Sequence, residues 1–297
     1  MPPDQDKPAL GIALMVLALF LLSSMDAISK HLTESLAIPQ ILAVRFWIFL
    51  TFASVLAGRA GFRRTARSAR PRMQLVRAFI LVVEMSAFIF AFSRMPLADV
   101  HAIAAVSPLL VMALAALFLG ERIGPRRCFA VGLGFVGVLI IIRPGLGVFD
   151  PVSLIALAAA GGWAVYQVLL RAVAAHDSAE TTTLFTAAVG LICFSSIAPF
   201  VWRSPTPDAW LWLVAIGILG SVGHFLLPAA YKLAPASTLQ PFGYTMPVWA
   251  VFMGWLAFGD VPDVWTFVGG AIVIASGLYA LRRERVAKAV EPPAARI

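Results

Sequence analysis

The residues that could do chemistry in this 297-residue chain stand inside otherwise apolar stretches. Glu84 lies in "AFILVVEMSAF", seven residues after Arg77 and near the middle of a segment long enough to cross a bilayer. An ionised carboxylate at that depth costs about 3 kcal/mol or more unless it is paired or protonated. Glu84 therefore predicts either a site for a proton or a substrate ammonium group, or a structural ion pair with Arg45 or Arg77. Asp26 and Lys30, four residues apart, are expected to pair with each other.

Two further segments carry small or polar residues along one helical face, followed by a proline. Residues at i, i+3, i+4 and i+7 share a face of a helix. These faces comprise His101, Ala104, Ala105 and Pro108 and, 139 residues later, Gln240, Gly243, Tyr244 and Pro247. Such faces suit the wall of a polar cavity better than contact with lipid. Pro108 and Pro247 each remove one backbone hydrogen bond, so they predict either gating kinks or bends that serve packing alone.

Three other faces have the same mixture of polar and aromatic side chains. They comprise Arg77, Glu84 and Phe88; Trp163, Gln167 and Arg171; and Gly217, Ser221, His224, Pro228 and Tyr231. The predicted substrate-binding set is therefore Glu84, Phe88, His101, Trp163, Gln167, His224, Gln240 and Tyr244. No catalytic residue and no metal ligand is predicted, because no paired-aspartate or "HExxH" motif is present.

The elements that position these residues are predicted to be transmembrane helices. The chain is 61% hydrophobic and only 13% charged, far from the usual composition of soluble domains. A bilayer core needs about 20 apolar residues of helix, and the alternation typical of barrel strands is absent. We predict ten spans, at about 9–29, 39–57, 73–93, 97–118, 126–142, 152–171, 181–202, 209–231, 236–257 and 264–281. The first span is expected to be retained, since "MPPDQDK" is not the basic start of a signal peptide.

The distribution of charge predicts the orientation of the chain. Its formal net charge is +8, and 17 of the 23 lysines and arginines fall on the side of the N-terminus, against 4 on the opposite side. Basic residues collect on the cytoplasmic side of a membrane protein. Both termini are therefore predicted to be cytoplasmic, in a cell inner membrane. The basic residues are expected to contact anionic lipid, and no nucleic-acid partner is expected.

An internal repeat predicts how the spans are organised. A shift of 139 residues aligns Pro96 with Pro235, Pro108 with Pro247, Gly120 with Gly259 and Glu121 with Asp260. Five helices per half is an odd number, so the second half must cross the membrane in the opposite sense. The fold class predicted is an all-α polytopic membrane protein with ten transmembrane helices in a 5+5 inverted-topology repeat. Its halves are residues 1–146 and 147–285, followed by a disordered tail at 286–297.

The stretch "SRMPLADVHAIAAVSPLLVMALAALFLGERIGPRRCFAVGLGFVGVLIIIRPG" resembles the fourth and fifth spans of the ten-helix, EamA-type branch of the drug/metabolite transporter superfamily. The resemblance covers nearly the whole chain, including Lys30, "IPQILAVRF" with Arg45, and Ala91. It implies an inverted-repeat carrier, commonly an exporter of amino acids, metabolites or drugs. The second copy departs from the pattern, because Asp260 replaces the glutamate and no basic residues follow it.

The function expected is secondary transport of a small metabolite by alternating access, since inverted repeats with a binding site between them are typical of such carriers. Amino acids or similar zwitterionic, amphipathic solutes fit the predicted aromatic and acidic residues best. Export is the direction that the family resemblance implies, and the residues alone leave the direction open. No nucleotide-binding loop or cofactor site is predicted, so transport would be uniport, exchange or coupled to an ion such as the proton. The alternatives are an intramembrane enzyme and a membrane sensor; oligomeric state stays open.

Overall fold

The structure is a computed structural model that describes residues 8–119, 125–143, 150–174, 176–233 and 239–290. All regular secondary structure in these ranges is helical. The α-helices are α1 (Pro8–Leu32), α2 (Ile38–Ala60), α3 (Phe62–Thr65), α4 (Pro71–Arg94), α5 (Leu97–Ala104), α6 (Ser107–Leu119), α7 (Pro125–Ile142), α8 (Val152–Ala174), α9 (Ala179–Ile197), α10 (Pro207–Leu233), α11 (Thr245–Phe258) and α12 (Val264–Val290). Short 3₁₀ helices span Ala198–Val201 and Gln240–Tyr244.

Local sequence signals account for several helix ends. Proline occupies the first turn of α2 and α4, where its missing N–H has no intrahelical partner to lose. The Ser178 hydroxyl accepts a hydrogen bond from the Thr181 N–H at the start of α9. Helix α11 stops at Gly259, whose φ of 70° lies in the left-handed region that glycine adopts without strain.

Six helical stretches are long and apolar enough to cross a membrane, judged by length and composition. They are Pro8–Leu32, Ile38–Ala60, Pro71–Arg94, Val152–Leu170, Ala179–Val201 and Pro207–Leu227. Shorter apolar helical stretches follow each set of three, at Leu97–Val111, Phe129–Ile142, Phe242–Phe258 and Val264–Tyr279. The chain is therefore an integral, polytopic helical membrane protein. The order of three long and two short stretches occurs twice along the chain, as a repeat requires.

The predicted fourth and ninth spans are both interrupted just before their second proline. Helix α5 ends at Ala104 and α6 begins at Ser107, so Pro108 lies in the first turn of a new helix. The 3₁₀ helix Gln240–Tyr244 gives way to α11 at Thr245, which places Pro247 in the first turn there. The predicted bends are thus changes of helix, and each proline stands where it costs the new helix no hydrogen bond.

Helices from the two sequence halves pack mainly against each other. Helix α1 packs on α10, and in the counterpart pairing, with the halves exchanged, α8 packs on α4. Likewise α2 contacts α10 while α9 contacts α4. Two pairs, α2 with α9 and α7 with α12, each join a helix to its own counterpart 139 residues away. This set of contacts is the one expected when two related halves face each other.

The contact between α7 and α12 depends on two glycines. A Cβ atom on Gly137 would lie 2.7 Å from the Gly269 carbonyl oxygen, and one on Gly269 would lie 2.5 Å from the Gly137 carbonyl oxygen. The two backbones therefore touch, as small residues permit in membrane helices.

Helix α12 continues into the segment predicted to be disordered. It ends at Val290, so residues 286–290 are helical, while 291–297 lie outside the described residues. The sequence "VAKAV" contains alanine and lysine, which favour helix, and it follows an established helix without a glycine or proline.

Candidate functional site in the centre of the bundle

A histidine and an aspartate from different helices meet inside the bundle. His101 Nε2 of α5 lies 3.3 Å from the Asp26 carboxylate of α1, and both residues are buried. The Phe92 ring of α4 stacks on the imidazole at a centroid distance of 5.3 Å. The predicted pairing of Asp26 with Lys30 is wrong, because each finds a partner on another helix.

A second, partly buried contact lies between the two halves of the chain. Arg45 Nη2 of α2 is 3.2 Å from His224 Nε2 of α10. A guanidinium can only donate, so Nε2 accepts and the imidazole is neutral with its proton on Nδ1. Gly220 gives the guanidinium its space, since a Cβ there would lie 3.3 Å from Arg45 Nε and 2.9 Å from Met25 Sδ.

Glu84 is the third charged residue of this region. It is only 6% exposed, and its Oε2 has no hydrogen-bond partner among the described residues. Asp26 and Glu84 both act electrostatically on Arg45. We therefore call Asp26, Arg45, Glu84, His101 and His224 the polar layer.

Arg77, the other candidate partner of Glu84, is bound elsewhere. Its guanidinium donates to Gln74 Oε1 at 2.9 Å, to Thr186 Oγ1 at 2.8 Å and to the Thr182 carbonyl at 3.1 Å. It also lies over the Tyr166 ring, 5.1 Å from the centroid. These partners on α4, α8 and α9 hold Arg77, although its Nη1 has no hydrogen-bond partner among the described residues. No ion pair with Glu84 forms among the described residues.

Aromatic rings on α4 and α8 flank the polar layer. Phe88 stacks on Phe92 at 5.9 Å, and Trp163 stacks on Tyr166 at 5.2 Å. The sequence-based set named Phe88 and Trp163 but missed their partners. Helical spacing could have found both, because Phe92 follows Phe88 by four residues and Tyr166 follows Trp163 by three. Gln167, also predicted, is half-buried on the same helix.

The predicted residues of the second copy are less closely connected to the layer. Tyr244 is buried with no partner for its hydroxyl among the described residues, and it packs so closely on Gly277 that any Cβ there would overlap the ring. Gln240 is described by its backbone alone. Pro108 is exposed and Pro247 is half-buried.

An ion pair joins the halves at the end of the bundle where α1, α4 and α11 finish, which we call the Lys30 end. Lys30 Nζ lies 2.9 Å from Asp260 Oδ2, with side-chain exposures of 17% and 28%. The ammonium also donates to the Met95 carbonyl at 3.1 Å and lies 4.7 Å from the centre of the Phe258 ring. One lysine therefore ties three helix ends together.

At the opposite end, Asp177 connects the loop before α4 to the loop before α9. Its carboxylate accepts from Ser68 Oγ at 2.5 Å, from the Ala69 N–H at 2.7 Å and from Gln74 Nε2 at 2.9 Å. Partial burial acts to raise the pKa of Asp177, but these hydrogen bonds outweigh it and hold the pKa below its usual value.

No group of three or more histidine, cysteine, aspartate or glutamate side chains within the described ranges could hold a metal ion. The polar layer instead offers carboxylates, one guanidinium and imidazoles beside aromatic faces. Such an arrangement can bind a solute that carries both charges and an apolar surface.

Residues 9–143 and 151–282 each match the EamA-like transporter family. The chain belongs to this family, which is part of the drug/metabolite transporters. It is 30% identical to the pseudopaline exporter of Pseudomonas aeruginosa over 93% of this chain and 97% of that one. It is 26% identical to the riboflavin transporter of Vibrio cholerae, covering 93% and 94% of the two chains. The S-adenosylmethionine uptake transporter of Rickettsia bellii is also 26% identical, with 94% and 96% covered.

A solved crystal structure shares the fold. It superimposes with a TM-score of 0.64 at 23% sequence identity, over 94% of this chain and 99% of the other. The arrangement of helices described above is therefore that of an existing fold.

Proposed function

We propose that this transporter exports amino acids or similar zwitterionic, amphipathic solutes across the inner membrane by alternating access. The observation that carries the proposal is the polar layer, in which buried charged groups of the first half meet His224 of the second half inside the bundle. Buried charges are costly in a membrane protein and mark a solute or ion pathway.

The packing of the helices supports a 5+5 inverted repeat of residues 1–146 and 147–285. Each main contact between the halves has a counterpart with the halves exchanged. In carriers of this architecture the halves rock against each other around a central site. The Lys30–Asp260 pair would then close one side of the site.

The chemistry of the layer supports the class of solute. Asp26 and Glu84 can bind an ammonium group, and Arg45 can bind a carboxylate. Phe88 and Trp163 offer apolar faces. Two relatives are named for the transport of riboflavin and S-adenosylmethionine, which combine an aromatic ring system with polar groups, and a third is named as an exporter. One guanidinium in the layer favours a carboxylate over a phosphate-rich solute.

Counterflow in proteoliposomes tests this function. Vesicles containing the purified protein are preloaded with phenylalanine, riboflavin or S-adenosylmethionine, and uptake of the same labelled solute is measured. We expect accumulation of at least one of them and none of glucose 6-phosphate. Asp26→Asn should lower the rate about tenfold or more because it removes the negative charge beside His101 that would bind the solute ammonium group. Glu34→Gln is the matched control, since Glu34 is exposed beyond the end of α1. Failure of all three solutes, or transport of the phosphosugar, overturns the proposal.

Proton coupling at Glu84 is a separate part of the proposal. In Glu84→Gln the amide resembles a protonated carboxyl, so accumulation driven by a pH gradient should be lost while exchange of solute continues. A stable variant with an unchanged response to the gradient contradicts a coupling role.

A further inference from the structure

A groove on the side of the bundle leads from the membrane to Glu84. It lies between α4 and α8 and has a volume of about 410 Å³. Its rim is formed by Phe79, Val83 and Leu154, which are 56%, 54% and 52% exposed and lie in spans that face lipid. This opening faces the lipid chains of the bilayer, so a solute that enters through it needs an apolar body.

The floor of the groove is made of small residues beside one carboxyl. Ala87, Ala158, Ala159 and Gly162 leave the space open, and Glu84 lines it. A Cβ on Gly162 would lie 3.3 Å from the Glu84 Cβ, so α8 could not pass the carboxylate stem as closely with a larger residue. The Glu84 side chain is more than nine-tenths buried with an unpartnered Oε2.

The counterpart contact between α1 and α10 is filled at the same place. Under the 139-residue shift Ala158 and Ala159 correspond to Leu19 and Phe20. Glu84 itself corresponds to Gly223, and Leu22 packs there so closely that a Cβ on Gly223 would lie 2.9 Å from Leu22 Cδ2. General looseness of helix packing would affect both contacts. The opening therefore belongs to the one contact that has a carboxyl at its floor.

We propose that the α4–α8 groove is a lateral entrance through which the apolar body of an amphiphilic solute reaches the polar layer from the bilayer, with an N–H group of the solute hydrogen-bonded to Glu84. This inference rests on the proposed transport function and adds the route of entry. Glu84 connects the two regions, because it lines the groove and also acts electrostatically on Arg45 in the polar layer. An N–H donor would satisfy the buried oxygen that has no partner in the protein.

Labelling with dicyclohexylcarbodiimide, a lipid-soluble reagent for protonated carboxyl groups, tests entry from the bilayer. The acid adds across one C=N bond, its proton goes to nitrogen, and acyl migration then gives a stable N-acylurea with no atom lost. The full-length protein in phosphatidylcholine vesicles is treated between about pH 5 and 8. Peptide mass mapping then quantifies the modification of Glu84.

We expect Glu84 to be labelled in the parent and Ala158→Leu to slow labelling about tenfold by filling the groove with the side chain found at position 19. Ala158→Phe provides a second filled groove, and Ala13→Leu is the matched control on an exposed alanine of α1. Melting curves establish that each variant is folded. Absence of labelling in the parent, or equal labelling in the parent and both folded Ala158 variants, overturns the lateral entrance.

Protection experiments test the chemistry of the occupant. Dodecyldimethylammonium has one N–H donor, and methyl laurate has a similar chain and none. We expect the first to slow labelling of Glu84 and the second to leave it unchanged. Equal protection by both contradicts the hydrogen bond to Glu84. Counterflow is measured on the same preparations, so a protein that transports solute but fails the labelling test loses the entrance while the proposed function stands.

Discussion

The Lys30–Asp260 pair gives the most direct test of the proposed alternating access. Breaking it should increase the population that is open at the Lys30 end, because the pair ties α1 to the residue just beyond α11. At 2.9 Å and an effective dielectric constant of about 20, the direct attraction is about 6 kcal/mol. Most of this is offset by the cost of removing both charges from water. Exposed ion pairs contribute up to about 1 kcal/mol of stability, and loss of one partner of a buried pair costs about 3–5 kcal/mol. For this partly exposed pair we therefore expect a net stabilisation of about 1–2 kcal/mol.

A difference of about 1–2 kcal/mol corresponds to about a 5- to 30-fold increase in the open population. Leu97 is fully buried close to this pair, so a cysteine at that position reports opening. In a background with Cys128 and Cys193 replaced by serine, we measure how fast Leu97→Cys reacts with a membrane-impermeant methanethiosulfonate. Lys30→Met should raise the rate more than Asp260→Asn, because it also removes the hydrogen bond to the Met95 carbonyl.

Two further variants make the measurement decisive. Exchanging the charges, with Lys30→Asp and Asp260→Lys together, should return the rate toward the parent value. Arg143→Met breaks a neighbouring ion pair with Asp263 and should leave the rate unchanged, because that pair spans the tightly packed helices α7 and α12. Rates within about twofold of the parent for both single variants would refute the idea that this pair controls opening.

Three other predictions follow from the described contacts. Gly137→Ala should destabilise the protein by about 1–3 kcal/mol, because its Cβ would overlap the backbone of α12. Gly132→Ala is the control and should not destabilise the protein, since no atom lies within 4 Å of its new Cβ. Thermal unfolding in detergent measures both variants. The pKa of Asp177 is lowered in the folded state, so its ionised carboxylate stabilises the fold above the ordinary aspartate pKa of about 3.9. This stabilisation is lost as the pH falls through the folded pKa. The melting temperature of Asp177→Asn should therefore fall less steeply below about pH 4 than that of the parent. Pro108→Ala and Pro247→Ala should slow counterflow more than they reduce folded yield, and a parallel loss of both would assign these prolines to packing.

The fold could be predicted from sequence to the extent that it depends on apolar length and repetition. Patterns that recur along the chain account for the ten apolar segments, the interruptions near Pro108 and Pro247, and the exchange of partners between the halves. Such local or periodic patterns can be recognised in a single sequence. The end of α12 was less predictable, because helix-forming residues can extend a helix past its apolar part.

The partners within the site were less predictable, because they come from distant parts of the chain. Asp26 and Lys30 fit the rule for neighbouring charges on a helix, which describes exposed pairs with no competing partner. In the folded protein His101 and Asp260 compete, and the ends of three helices bring the aspartate to Lys30, 230 residues away in sequence. The apolar residues around Glu84 in the sequence predicted that this carboxyl is unusual. The groove beside it could not be predicted, because it depends on which small residues of α8 face α4.

In the proposed alternating-access mechanism, the ion pair at the Lys30 end affects the balance between the two access states. If the halves were chemically equivalent, states open at either end would have equal energy. The 139-residue shift places Leu169 at the position of Lys30, and leucine cannot form an ion pair with Glu121, the counterpart of Asp260. The attraction of about 1–2 kcal/mol estimated for Lys30 and Asp260 therefore has no equivalent at the position of Leu169. In the proposed alternating-access mechanism this attraction stabilises closure at the Lys30 end, as the hydrogen bonds of Asp177 stabilise closure at the opposite end. A transported solute would then supply a differential binding energy of comparable size to open the Lys30 end.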